Sequence, residues 1–295
     1  MSSHAKRYKP IEDYGVIGDL HTVALVADDG CIDFLCFPHF DSPSVFAALL
    51  DADRGGSFSL APEMDGARRK QLYLSDTNVL LTRFLFRDGV AELSDYMPVE
   101  DTGWAHNLVR RVKTIHGEID YHMRCAPRFD YGRAGHRVQR EGNDVVFVPQ
   151  GGDTPALRLR SEVPVDVEEG AAVARFRLGA GRHAAFVLEQ AEHGEASPCA
   201  GRDYVAESFK VTVNYWRGWL AQSRYRGRWR EMVNRSALVL KLLTSRRHGS
   251  LVAAPTFGLP EEVGGVRNWD YRYTWIRDAS FTLYALIRLG FHQEA

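Results

Sequence analysis

The sequence predicts an antiparallel β-sandwich followed by α-helices. Three observations carry that reading. Short runs of β-branched and aromatic residues recur up to about residue 200, separated by turn signals. No helical pattern stands between most of them, which disfavours a parallel α/β sheet. Beyond residue 200 the apolar period changes from two to the three-to-four of a helix.

Thr22–Ala27 is the first clear strand. Asp28-Asp29-Gly30 follows as a hairpin turn, because glycine reaches the positive φ of a tight turn without strain. Cys31–Phe37 is the return strand. Asp41-Ser42-Pro43 then has the form of a helix start, a capping residue ahead of proline, and predicts a helix over Ser44–Leu50, ended by Gly55-Gly56. Further strands are predicted at Leu72–Ser75, Val79–Phe86, Val90–Tyr96, Leu108–Ile115, Ile119–Cys125, Asp144–Val148, Ala156–Leu159, Ala172–Leu178 and His183–Leu188. Arg87-Asp88-Gly89 is a second hairpin signal.

Helices are predicted over Tyr204–Gln222 and Trp229–Thr244. In the second, Met232, Val233, Ser236, Leu240 and Leu243 are expected on the packed side. Leu251–Val263, with Pro255, Gly258 and Pro260, is expected as a loop. Arg272–Leu289 is expected as a helix, or a loop running into one. Its apolar load of Trp275, Phe281, Leu283, Leu286 and Ile287 needs a partner surface: either the preceding helices or, the favoured reading, a surface outside these residues. The expected division is a β domain over 1–200, a helical linker over 201–250, and the opening of a helical domain over 251–295.

Composition narrows function. The 295 residues are 45% hydrophobic and 25% charged with a net charge of −1, an ordinary globular balance. That charge argues against general affinity for nucleic acid or anionic membrane. Met1–Pro10 is polar and basic without an apolar stretch, so a cytoplasmic protein is expected. The four cysteines, Cys31, Cys36, Cys125 and Cys199, are expected as free thiols. Scattered histidines and the absence of C-x-x-C or H-E-x-x-H lead us to expect no metal and no cofactor.

The densest chemistry lies in Gly264-Gly-Val-Arg-Asn-Trp-Asp-Tyr-Arg-Tyr-Thr-Trp-Ile-Arg-Asp278. A sugar ring has apolar C–H faces and a hydroxyl rim. Aromatic rings cover the faces, while Arg and Asp bind adjacent hydroxyls through charge-assisted hydrogen bonds. Tyr271, Tyr273, Trp275, Arg277 and Asp278 supply that set. The same residue types also occur in plain cores and surface ion pairs.

Ala253–Leu283, which contains this run, resembles the segment that opens the (α/α)6 barrel of bacterial family 15 glycoside hydrolases. Ile11-Glu-Asp-Tyr-Gly-Val-Ile-Gly-Asp19 and Gly30–Ala47 resemble the trehalase-like N-terminal β domain of the same proteins. The resemblance covers essentially the whole chain, in order. It implies an N-terminal supersandwich, a helical linker and the first part of the barrel. It also implies inverting hydrolysis of α-glucosidic bonds of the glucoamylase or trehalase type. By the same resemblance, Arg277 and Asp278 bind hydroxyls of the terminal glucose in the −1 subsite. Tyr271 and Trp275 line that subsite, and Tyr273 is expected as packing.

Inverting hydrolases use two carboxyl groups, one as acid and one as water-activating base. The family's two glutamates lie on later barrel helices, and no matching run occurs here. Glu231, in Trp229-Arg-Glu, does not match that run, and Glu261 and Glu262, adjacent on one loop, cannot straddle a glycosidic bond. The general acid and base are therefore expected beyond Ala295, and the chain alone is expected to be almost inactive. Asp41, Arg128 and Asp130 are candidates for the active-site rim; a helix cap and a polar turn explain them equally well. Expected partners are an α-glucoside or trehalose, and a remaining barrel segment or a second copy of the chain. The alternative is a non-catalytic carbohydrate-binding or assembly module.

Overall fold

The computed structural model describes residues 8–64, 66–99, 106–151, 153–191, 197, 199–262 and 264–295. Met1–Arg7 and Val263, on which two of the expectations above partly rest, lie outside the described residues.

The strands are β1 (Tyr14–Gly18), β2 (Val23–Ala27), β3 (Cys31–Cys36), β4 (Ser44–Phe46), β5 (Ser57–Pro62), β6 (Arg68–Tyr73), β7 (Leu80–Leu85), β8 (Val90–Tyr96), β9 (Asn107–His116), β10 (Glu118–Ala126), β11 (His136–Glu141), β12 (Asp144–Pro149), β13 (Ala156–Ser161), β14 (Asp166–Glu168), β15 (Ala171–Gly179), β16 (His183–Ala191), β17 (Phe257–Pro260) and β18 (Asn268–Asp270). Three helices follow the main sheets: α1 (Tyr204–Leu220), α2 (Arg230–Leu242) and α3 (Ile276–Leu289).

One antiparallel sheet runs β1-β2-β3-β5-β10-β15-β14, with β4 on β3. The other runs β11-β12-β13-β16-β9-β8-β7-β6. Both contribute to one apolar core, with Ile32, Phe58 and Met123 from the first and Leu93, Val112 and Phe186 from the second. The alternation is visible in β10, where Ile119, Tyr121, Met123 and Cys125 are buried and the residues between them are not. The hairpin turns at Gly30 and Gly117 take φ of +82° and +80°, which only glycine adopts without cost.

A buried ion pair ties the two sheets together. Arg110 on β9 donates to Asp95 on β8 at 2.8 Å, and both side chains are 0% exposed. The same guanidinium donates to the Gly30 carbonyl at 2.7 Å and to that of Phe58, across in the other sheet. Burial pushes the Asp95 carboxyl above its ordinary range, against the pull of Arg110.

The helices cover two separate patches. Val213 and Phe209 of α1 pack on the outer side of Val79, Leu81, Val109 and Val187. Trp216, Trp219 and Leu220 of α1 meet Leu238 and Leu242 of α2, Leu286 and Phe291 near α3, and Leu20, Val23 and Phe40 of the β region. α3 ends at Gly290 (φ 100°), where Gly290 N–H donates to Ile287 O and Phe291 N–H to Leu286 O. That is a Schellman stop with its apolar contact, Leu286 against Phe291, inside the cluster.

Three expectations are corrected, and a fourth holds except at one residue. Ser44–Leu50 is not a helix: Ser44–Phe46 forms β4, paired on β3 through Leu35↔Phe46 and Cys36↔Ser44. All three of its residues are buried, a demand that the local cap signal at Asp41–Pro43 cannot meet as a helix. Of the expected packed face of α2, Leu240 and Leu243 do pack, partly buried, against the helical core, but its buried residues are Asn234, Ala237, Leu238 and Leu242, while Met232 is 67% exposed and Ser236 also faces out. Asn234 is buried because its amide donates to Asp76 Oδ1, which hydrophobic periodicity cannot register. The Leu251–Val263 loop contains β17, which pairs with β18 through an irregular register. Finally, the apolar load of α3 divides. Leu286 is buried, while Phe281 (73%), Ile287 (48%), Trp275 (39%) and Leu283 (37%) face out.

Candidate functional site

The β17–β18 hairpin and the turn into α3 carry the dense aromatic and charged run. Its anchor is Arg272, whose side chain is 5% exposed. The guanidinium pairs with Asp270 at 2.7 Å. It donates to the carbonyls of Ser42 (2.8 Å) and Phe40 (3.3 Å) and to the Tyr131 hydroxyl (3.2 Å). It also lies 4.5 Å from the centre of the Phe257 ring. A delocalised planar cation with five donors suits this many partners.

The electrostatics follow from that packing. Burial opposes charge on Arg272, but the hydrogen bond to Asp270, with the neighbouring Cys36 thiol and Tyr131 hydroxyl, outweighs it and raises its pKa. Burial likewise pushes Asp270 up, yet its hydrogen bonds from Arg272 hold it below the ordinary carboxylate range. Cys36, against which Arg272 rests at 3.4 Å, has its thiol pushed up to about 12 by burial.

Anchored this way, the next residues project outward. Tyr271 and Trp275 stack with ring centres 5.7 Å apart and planes at 27°. Arg277 lies over the Trp275 ring at 5.6 Å and pairs with Asp278 at 3.2 Å. The Arg277 side chain is 69% exposed and that of Asp278 38%. Asp278 sits in the first turn of α3, where the helix dipole favours a negative charge. The four residues thus form one open surface of stacked rings beside a donor–acceptor pair. Tyr273, expected as packing, is 59% exposed.

A cavity of about 160 Å³ is lined among others by Tyr273, Arg272, Asp41, His21, His39 and Arg247, but by none of Tyr271, Trp275, Arg277 and Asp278. Asp41 is exposed on its wall. Arg128 and Asp130 satisfy themselves locally. Arg128 donates to the Pro127 carbonyl at 3.0 Å, and Asp130 pairs with Arg133 at 2.8 Å. Their neighbour Tyr131 reaches the hairpin, through Arg272. Glu261 is occupied by Arg267 (3.4 Å) and Trp269 (3.2 Å), as expected of a structural carboxylate.

Sequence reasoning left Asp270 without a role and did not single out Arg272. The Asp-x-Arg spacing was visible, but nothing in it shows that the pair plugs into Phe40–Ser42. It also missed His21, His39 and His106, whose rings meet with centres 4.5–5.9 Å apart. Burial lowers the pKa of His21 and of His39.

Comparison with known proteins decides the family. Residues 3–192 match the family described as "Trehalase-like, N-terminal", and residues 227–295 match "Glycosyl hydrolases family 15". The chain belongs to the trehalase-like glycoside hydrolases of family 15.

It is 34% identical over 294 residues to a trehalase of Thermoplasma volcanium, covering 98% of this chain and 46% of that protein. It is 34% identical to a trehalase of Mycolicibacterium smegmatis, with coverage of 98% and 46%. The chain therefore spans about half the length of the curated relatives it matches. Among solved structures it is similar to a bacterial glucoamylase complexed with acarbose, at a TM-score of 0.66 and 12% identity, covering 96% of this chain and 48% of that one. At that identity the likeness speaks for the fold. Among the described residues no helix is long and apolar enough to cross a membrane.

Proposed function

We propose that this family 15 chain supplies the sugar-gripping half of the −1 subsite of an inverting α-glucosidase. The substrate is trehalose or an α-glucan of the maltose type. The observation that carries the reading is the open cluster of Tyr271, Trp275, Arg277 and Asp278, held outward by the buried Arg272–Asp270 anchor. Stacked rings offer a face to the glucose C–H surface, and Arg277 and Asp278 offer a donor and an acceptor to neighbouring hydroxyls. Asp41 stands on the rim; Arg128 and Asp130 support the turn that delivers Tyr131.

In this reading, residues 1–200 form a supersandwich, 201–250 a helical linker, and 251–295 the start of an (α/α)6 barrel. The catalytic glutamates are not among these 295 residues. Glu261 is paired, and Glu231 lies on α2 beside Arg230 and Asn234, in a different cavity from that of Tyr273. Inverting chemistry needs two carboxyl groups ~6.5–9.5 Å apart about the scissile bond. Without them the chain binds sugar and turns it over very slowly, since each missing acid or base group costs ~10²–10⁴ in rate.

The test has two arms. Titration with glucose and an acarbose-like ligand should show millimolar or tighter binding. Arg277→Ala and Asp278→Asn should each weaken it ~10–100-fold, the worth of one or two charge-assisted hydrogen bonds. Absence of binding at millimolar ligand refutes the sugar site. In the second arm, robust turnover of trehalose, maltose or isomaltose by the chain alone refutes the assignment of the catalytic pair elsewhere.

A further inference from the structure

The residues the sugar site leaves unused include three imidazoles from three separate loops. His21 lies in the β1–β2 turn, His39 in the β3–β4 connection, and His106 just ahead of β9. Each offers one ligating nitrogen, and the three nitrogens lie within 4.8 Å of one another. The framework around them is built. Asp19 is 4% exposed, and its Oδ1 accepts from the backbone N–H groups of His21 and Thr22, both at 2.9 Å. Its Oδ2 meets His106 Nδ1 at 2.9 Å, which leaves Nε2 of that ring to be offered. The Phe40 N–H donates to the His21 carbonyl at 2.7 Å, clamping the first two loops together. Among the described residues, His21 Nδ1 is buried and has no hydrogen-bond partner.

We propose that His21, His39 and His106 form a three-imidazole site for a zinc-class divalent ion, with its remaining position open to the cavity lined by Asp41 and Tyr273. Three nitrogen donors match zinc, cobalt and nickel, whereas magnesium and calcium take oxygen donors. An ion ~2.0–2.1 Å from each nitrogen in a tetrahedron needs them ~3.3 Å apart, within reach of modest ring rotations from the present cluster. Asp19 supplies the carboxylate–histidine contact that sets the tautomer and orientation of a ligating ring. Arg247 and Arg272 on the same cavity wall and Arg246 near His21 oppose a cation; Arg272 is paired with Asp270, and Asp19 and Asp41 supply the opposite charge to His21 and His39. The ion would join the loop containing His39 and Phe40, on which Arg272 docks, to β1–β2 and β9. It would therefore stiffen the floor under the sugar-binding run.

The whole chain, free of any affinity tag and stripped with a chelator, is titrated with Zn²⁺, Co²⁺ and Mg²⁺ by calorimetry and, for cobalt, by visible absorption. One equivalent of Zn²⁺ should bind at micromolar or lower Kd, and cobalt should show tetrahedral bands. Mg²⁺ should not bind at millimolar concentration. His39→Asn and His21→Asn should each raise the zinc Kd at least ~10-fold, and Asp19→Asn ~10–100-fold. Circular dichroism of each metal-free variant checks its fold. In the unaltered chain, zinc should shift the ring-proton resonances of these three histidines, a reading that needs no variant. The proposal is overturned by absent zinc binding at ~100 µM, by unchanged affinity in the folded His variants, by equal binding of Mg²⁺, or by shifts confined to other histidines.

Discussion

Replacing Arg272 with Ala should release the Tyr271–Asp278 run from the β region while leaving the sheets intact. The change strands two carbonyl acceptors, Phe40 O and Ser42 O, and unpairs Asp270. A buried acceptor left without a donor costs ~1–3 kcal/mol. Removing one partner of a fully buried pair costs ~3–5 kcal/mol. The Asp270 side chain is 33% exposed and regains water, so the upper figure does not apply in full. A loss of ~2–4 kcal/mol follows, equivalent to a ~30- to 1000-fold rise in local opening. Its location is specific. Ala253 N–H donates to Tyr273 O, Ala254 N–H to Tyr271 O, and Tyr271 N–H to Thr256 O. Hydrogen exchange of those three amides should accelerate, while amides of β9 such as Val112 should not. Arg272→Lys keeps the charge but loses the fork, and should fall between the parent and Arg272→Ala. Exchange within threefold of the parent at Ala253, Ala254 and Tyr271, or acceleration spread evenly through the sheets, would refute the anchor.

Acid should open the same seam. Asp270 has a folded-state pKa held below its unfolded value, so its contribution is present above ~3.9 and is lost as pH falls through the folded value. After correction for intrinsic exchange, protection of Ala254 should hold from pH ~7 to ~5 and decline only below ~4. In the sheets, Asp95→Ala leaves the buried Arg110 charge without its counter-ion and should cost ~3–5 kcal/mol in urea unfolding. On α3, Leu286→Ala should cost ~2–5 kcal/mol, and Phe281→Ser should stay within ~0.5 kcal/mol; equal losses would mean that the outward face is packed after all.

Much of the architecture was legible in the residues. Val90–Tyr96 is a strand with the expected bounds, and the Asp28–Gly30 and Arg87–Gly89 turns fall where the hairpins are. These elements are specified by neighbours in the chain, through alternation and through turn residues whose φ preferences act locally. Strands β1, β4, β5, β11, β14, β17 and β18 were not recognised. Their residues are short runs or charged edges, and pairing across the sheet, not local preference, makes them strands.

The sequence by itself determined that a β-rich region precedes helices, which family the motifs belong to, and that aromatic, arginine and aspartate residues concentrate around Arg277 and Asp278. Those are properties of composition, period and short-range spacing. Only the tertiary structure decided that Arg272 is the anchor, that Met232 faces out while Asn234 is buried, and that three distant histidines meet around Asp19. Each depends on groups brought together from far apart in the chain. Burial and pairing energies act between those groups in space, so no local pattern carries their record.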